Sequence, residues 1–229
     1  MKSVKESLLQ RRSIRRYERE NISDDDMRLI FDAIRNTPTS YNGQQFSVID
    51  VTDPELKLKL YELIGQKQIK TCSHFLLFLV DYHKIGLAAD ALGEEMPEFN
   101  NTVDGLAVGI IDASLAMMSA VAMAESLDLG CCPIGYARTV APEAISHLLG
   151  LPQKTFVVCG LSIGVPRELP DLKPKQPREL VVFHNRYPQD EAEMTADIME
   201  YNETIKEYNR TRAGDKTDND WATHIISYY

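Results

Sequence analysis

Residues 10–17 read QRRSIRRY, and four arginines, Arg11, Arg12, Arg15 and Arg16, stand there within six positions around the hydroxyl of Ser13. Guanidinium forks and a hydroxyl are the donors that a phosphate accepts, through charge-assisted and often bidentate bonds. The alternative for such a run is a solvated basic turn at a helix end. No GxGxxG follows a strand and no GxxxxGK[ST] occurs, so a phosphate site must be assembled from separated segments. A second basic stretch, DLKPKQPRE, places Lys173 and Lys175 on a proline-stiffened loop late in the chain. Between the two in sequence, TPTSYNGQQ supplies Thr39, Ser40, Tyr41 and Gln44. These donors and acceptors suit a sugar-alcohol chain and the edge of a heterocycle, or simply a helix-to-strand turn.

The chain around this basic knot is acidic, with 229 residues, formal net charge -9 and pI about 5.1. That balance argues against nucleic acid, which needs a basic face, and in favour of one small anion. The four cysteines lack CxxC spacing and no secretory signal opens the sequence, so reduced thiols in a cytoplasm are expected. The vicinal pair Cys131–Cys132 reads as packing thiols or as a strained redox pair. The five histidines are scattered without ligand spacing, so no metal site is expected.

Elements must position these groups. NISDDDMRLIFDAIRN reads as a helix capped by Ser23, with Met27, Ile30, Phe31 and Ile34 on one face. Residues 3–10 read as a short helix, FSVIDV as a strand, and DPELKLKLYELIG as a helix from Pro54 to Gly65. FLLFLV and TFVVCGLSIGVP are continuous apolar runs of strand length, hence buried strands. LAVGIIDASLAMMSAVAMA, residues 106–124, approaches membrane-spanning length, but a mid-span Asp112 and close acidic flanks argue against lipid. It reads as a long central helix buried nearly all round. CCPIGY is a short extended segment, APEAISHLLGLP a helix, and LVVFHN, residues 180–185, a candidate last strand. From 189 on the chain is polar and weakly helical, and YNRTRAGDK, residues 208–216, reads as a mobile loop gathering Arg210, Arg212 and Lys216. Strands and helices mix without a regular βαβ rhythm, which gives an α+β class.

These stretches, in this order, resemble the FMN-dependent nitroreductase family, and within it the NADPH-dependent flavin reductases and oxygen-insensitive nitroreductases. RRSIR and the late KPK carry the likeness most specifically, and ESLDLGCCPIGYAR and EYNRTRAGDKTDNDWATHI extend it over most of the chain. The resemblance implies a mostly antiparallel sheet flanked by helices, in an intertwined homodimer with FMN at two interfacial sites. It implies an FMN-binding core at 1–188 and a C-terminal extension at 189–229 with an NAD(P)H-binding loop and dimer contacts, in a tail expected to run past Tyr229. By position, Arg11, Arg12, Ser13 and Arg15 would hold the phosphate, ribityl chain or pyrimidine edge, with Lys173 and Lys175 completing the phosphate site. Thr39, Ser40, Tyr41 and Gln44 would line the ring and ribityl chain, Gln68 would meet the ring edge, Pro133, Ile134 and Gly135 would pass beside it, and Arg138 would lie near the phosphate. Arg11 stands where His is common, Lys175 where Arg is usual, and Tyr41 and Tyr136 where smaller residues are found.

The activity implied is ping-pong hydride transfer from NADPH, or NADH, through FMN to a small aromatic acceptor: a nitroaromatic, a quinone or free flavin. No nucleophile with its base is needed, because the cofactor carries the redox chemistry. Arg15 is the candidate cation beside the negative charge of the reduced ring, and Arg212 the candidate reader of the NADPH 2′-phosphate. The rival readings are an FMN-binding or storage module without turnover and a helical interaction protein whose arginines are surface decoration.

Overall fold

The computed structural model describes residues 1–214 and 216–228. Contacts divide the chain into two compact units, Met1–Leu169 and Pro170–Tyr229.

The first unit holds, in order, α1 (Val4–Leu9), α2 (Asp24–Arg35), β1 (Phe46–Val51), α3 (Pro54–Ile64), α4 (Gln68–Thr71), β2 (His74–Asp81), α5 (His83–Leu92), α6 (Val103–Ser126), β3 (Gly130–Ile134), α7 (Tyr136–Thr139), α8 (Pro142–Leu148) and β4 (Thr155–Gly164). The four strands form one sheet in the order β1-β2-β4-β3, and every pairing is antiparallel. The apolar runs read as buried strands are its two central members, which is why they show no polar alternation. Successive side chains of β2 serve opposite layers. Leu76, Phe78 and Val80 pack into the core under α2 and α6, whereas Phe75, Leu77 and Leu79 meet α3, α4 and α8. A register shift between Phe78 and Leu79 marks a bulge in the pairing with β4.

Local signals set the helix ends. The Ser23 hydroxyl accepts from the Asp26 amide at 3.1 Å and Asp53 caps α3, which Gly65 ends at φ 78°. In α6, small residues let the helix lie close on the sheet. A Cβ on Gly109 would stand 2.6 Å from the Val80 side chain of β2, and one on Gly105 would stand 2.0 Å from the Phe99 carbonyl oxygen in the turn that precedes the helix. The same face continues through Asp112, Ala113, Ala116, Ala120 and Ala124, all buried.

Burial of α6 all round is not what the chain shows. Ile111, Leu115 and Met118 form an exposed apolar stripe, Leu106 is exposed nearer the start of the helix, and Phe31 of the adjoining α2 is exposed as well. Composition identifies an apolar helix but not which neighbour covers each side.

The second unit holds α9 (Glu191–Thr211) and α10 (Trp221–Tyr228). Tyr201 and Trp221 pack edge to face at 5.6 Å between centroids, and Asn202 accepts from the Ala222 amide at 2.7 Å. The candidate strand at 180–185 does not form among the described residues. The Val181 and Val182 amides both donate to the Arg178 carbonyl, closing a local turn instead of meeting a sheet edge. Nor is 208–216 a loop throughout: α9 continues to Thr211, Arg212 caps it by donating its amide to the Tyr208 carbonyl at 2.8 Å, and Asp215 lies outside the described residues.

Candidate active site

The arginine segment is an extended strip laid along the open edge of β3. Ser13 bridges Cys131 in parallel, the Ile14 amide donates to the Cys131 carbonyl at 3.0 Å, and the Glu18 amide reaches Val165 just beyond β4. Buried Tyr17 fixes the strip from below, donating to the Ile14 carbonyl at 2.7 Å and meeting the Ser162 hydroxyl at 2.8 Å. Extended backbone alternates its side chains, and the environments alternate accordingly. Arg11, Ser13 and Arg15 gather about the Cys132 thiol, as does Gln68, whose Nε2 lies 4.0 Å from its Sγ. Burial pushes that thiol up, while Arg15, the Ser13 hydroxyl, Arg11 and Gln68 act in the opposite sense.

Arg12 belongs to the other side of the strip. Its Nη1 donates to the Gln10 carbonyl at 2.9 Å, and it lines a cavity of about 300 Å³ with Lys2, Glu6, Gln10, Glu125, Asp128 and Glu168. Four carboxylates against two cations make that cavity a poor phosphate receptor. Arg11 has two buried N–H donors without a hydrogen-bond partner, Nε and Nη2, against one on Arg12, its Nε. Buried N–H donors of a charged group are costly to leave unmade, so they mark where an anionic or carbonyl oxygen belongs.

Two acids that sequence reading missed shape this strip. Glu168 accepts from the Arg15 amide at 2.7 Å and the Arg16 amide at 3.2 Å, fixing the backbone that aims Arg15. Glu125, near the end of α6, is buried; burial pushes its carboxyl up, and the Arg11 guanidinium, followed by Lys2, opposes that. No local motif announces either contact, since Glu168 lies 153 residues from Arg15.

The polar loop at 39–44 is built differently. Tyr41, Asn42 and Gln44 hold φ at 54°, 54° and 52°, all left-handed and none glycine. Strained backbone of this kind costs of order 1–3 kcal/mol per residue and survives only where surroundings over-determine it. Tyr41 at the tip is fully exposed. At the root, the Ser40 amide donates to Asp112 Oδ1 at 3.1 Å, and Thr39 Oγ1 accepts from the Gln44 amide at 3.2 Å.

Within one chain this loop and the arginine strip are far apart. The loop is anchored to α6 at Asp112 and the strip faces α6 at Glu125. At about 1.5 Å of rise per residue these positions stand roughly 20 Å apart. The loop also feeds β1, at the edge of the sheet opposite β3.

The remaining candidates divide. Gln68 is buried beside Cys132. Pro133 and Gly135 are exposed next to it, and a Cβ on Gly135 would meet nothing within 4 Å, while the Ile134 side chain is buried in the core and can offer only backbone outwards. Arg138 donates Nη1 to the Val158 carbonyl at 2.8 Å, so part of its fork is committed to the sheet. Lys173 and Lys175 belong to the second unit, where Lys175 lines a depression with Tyr201 and Trp221. In the same unit Arg210 is bound by Asp218 at 2.5 Å, and the amide of Ala213, next to Arg212, donates to Asp171 at 2.9 Å. All four cysteines are unbridged. Cys131 and Cys132 face opposite sides of β3, Cys131 within the α6 core, which rules out the vicinal disulfide.

The edge strip and its buried arginine donors on an antiparallel α+β scaffold offer an anion site, and comparison with known proteins assigns the class. The model of the nitroreductase family matches residues 8–165, and that of the nitroreductase family C-terminal domain matches residues 173–229. The chain belongs to the nitroreductase family. It is 38% identical over 230 residues to the FMN reductase (NAD(P)H) of Bacillus subtilis strain 168, covering 100% of this chain and 92% of that protein. It is 32% identical over 226 residues to the Cr(VI) reductase of Pseudomonas sp. strain G-1, covering 98% and 91%. The solved structure of the hypothetical oxidoreductase YcnD from Bacillus subtilis matches at TM-score 0.95 with 38% identity, over 100% of this chain and 92% of that one.

Proposed function

We propose that this chain is an NAD(P)H-dependent FMN oxidoreductase that reduces small electron-poor aromatics such as nitroaromatics, quinones or free flavins. The observation that carries the reading is the pair of buried, unpartnered donors on Arg11 beside Ser13, Arg15 and Gln68. A phosphate or a pyrimidine carbonyl satisfies those donors, and the residues present fit FMN. When bound, FMN supplies the hydride chemistry, two electrons in from NAD(P)H and two out to the acceptor in a ping-pong exchange.

The protein's part is binding and electrostatics. Arg11 and Ser13 hold oxygen acceptors, and Gln68 is buried where it can bond a ring edge. The Arg15 side chain is exposed, with its backbone fixed by Glu168, so its charge can stand beside negative charge gathering on the ring. Pro133 and Gly135 form an open wall against which a flat ring can lie.

The site needs a second copy. The loop carrying Thr39, Ser40, Tyr41 and Gln44 cannot reach the arginine strip of its own chain across roughly 20 Å. The exposed stripe of Ile111, Leu115 and Met118, with Phe31 exposed on α2, is an apolar surface suited to a homodimer in which each loop completes its neighbour's site. We assign 189–229 to NAD(P)H recognition, with Arg212 facing the 2′-phosphate. Four unbridged cysteines support a cytoplasmic setting.

The test is a visible spectrum of the purified protein before and after anaerobic NADPH. A yellow protein that bleaches, and recolours when a quinone or nitroaromatic is added, is expected. Yellow protein that NADPH leaves unbleached supports a storage module, and protein that stays colourless after FMN soaking refutes the reading.

A further inference from the structure

Three left-handed residues in one short loop require restraint, and that restraint comes from two charged side chains on distant elements. Asp112, at mid-helix in an apolar stretch of α6, is 1% exposed; Oδ1 accepts the Ser40 amide at 3.1 Å, and Oδ2 is buried without a partner. At the other end of the loop, Lys84 Nζ donates to the Gln44 carbonyl at 3.3 Å and the Phe46 carbonyl at 2.8 Å. Lys84 is steered by Asp81 Oδ2 at 4.0 Å, and Asp81 is itself held by the Ser47 hydroxyl at 2.5 Å and the His83 amide at 3.0 Å. Together the two side chains grip the loop before and after Tyr41, Asn42 and Gln44, and leave Tyr41 projecting into solvent.

A half-satisfied buried carboxylate serves folding poorly, because an apolar residue of similar size would pack there without the desolvation cost. Strain and an unpartnered buried oxygen at one spot are features that folding selects against unless the shape they hold has a use. We propose that Asp112 and Lys84 are positioning residues, a two-ended clamp that fixes the 39–44 loop so that Tyr41 sets the width of the acceptor site. This rests on the reading above, in which the loop completes the site of a second copy.

The variants are Asp112→Ala, Asp112→Asn and Lys84→Met. Asn keeps an oxygen for the Ser40 amide, and Lys84 has a half-exposed side chain, so its loss should spare the core. Two readouts are taken on the dimer: hydrogen exchange of the peptide spanning 37–46, and steady-state kinetics with a quinone acceptor. Asp112→Ala and Lys84→Met should each speed exchange in that peptide by roughly tenfold while β2 and β4 stay protected. Both should raise the KM for the quinone more than they lower kcat, and Asp112→Asn should restore parental values. Unchanged exchange at 37–46 overturns the clamp. Faster exchange spread evenly over the sheet, or a faster loop with an unchanged quinone KM, reduces these residues to stability and overturns the positioning role. A parent protein that binds no flavin removes the acceptor role together with the proposed function, and that outcome is distinct because the loop exchange is read independently of turnover.

Discussion

Removing Arg11 should cost more FMN affinity than removing Arg12, although the two are neighbours of identical type. Arg11 has two buried N–H donors, Nε and Nη2, without partners, on the face shared by Ser13, Arg15 and Gln68. Arg12 has one such donor, Nε; its Nη1 donates to the Gln10 carbonyl, and it lines a cavity with Glu6, Glu125, Asp128 and Glu168. A hydrogen bond to a charged group contributes about 1.5–3 kcal/mol, so Arg11→Ala should weaken FMN by roughly 10- to 150-fold. Arg12→Ala should stay within about threefold of the parent, the scale of a screened charge at a distance. The assay is quenching of flavin fluorescence on titrating apoprotein with FMN. It should be run well below the melting temperature, because Arg11→Ala also strips buried Glu125 of its principal opposing charge. Equal losses in the two variants, or a larger loss from Arg12→Ala, would refute the alternation along the extended strip. Affinity of Arg11→Ala within threefold of the parent would refute the phosphate assignment itself.

Three further outcomes can be checked. Burial pushes the Cys72 and Cys131 thiols up to about 12, and also raises Cys132 and Cys159, so the native protein should react with less than about one equivalent of a disulfide reagent at pH 8 and with all four after unfolding; rapid native labelling of two or more thiols contradicts this. Glu125 has a folded-state pKa raised by burial, so the stability it contributes is present below the ordinary glutamate range and lost as pH rises through the folded value. The melting temperature of Glu125→Gln relative to the parent should therefore increase from acid pH upward and then level off, and a difference that falls with pH has the wrong sign. Arg212→Ala should lower kcat/KM for NADPH by roughly 5- to 30-fold while leaving NADH little changed; equal losses for both cofactors would place the choice elsewhere.

The sequence alone determined the chemistry on offer and most of the framework. RRSIR offers a candidate anion site, because guanidinium and hydroxyl donors match phosphate oxygens, although a solvated basic turn fits the same letters; α+β follows from apolar runs of strand length between amphipathic helices. Both are local signals, written in residue type and periodicity. Side-chain facing is another matter. How Arg11 and Arg12 divide between Cys132 and the Glu125 cavity, which both approach, depends on the strip lying extended against Cys131, a contact made across more than a hundred residues. The valines at 181 and 182 satisfy a strand pattern, yet a strand exists only where a sheet edge accepts its amides, and here those amides close on Arg178. Phe31 matches the helical period of Met27 and Ile34 but sits at the margin of the face that α6 covers, so it is exposed. Asp112 shows the limit most plainly. In sequence it is only a charge that argues against a membrane span, and tertiary structure alone turns it into the anchor of a strained loop, because hydrogen bonding between distant segments is decided by packing rather than by any neighbour in the chain.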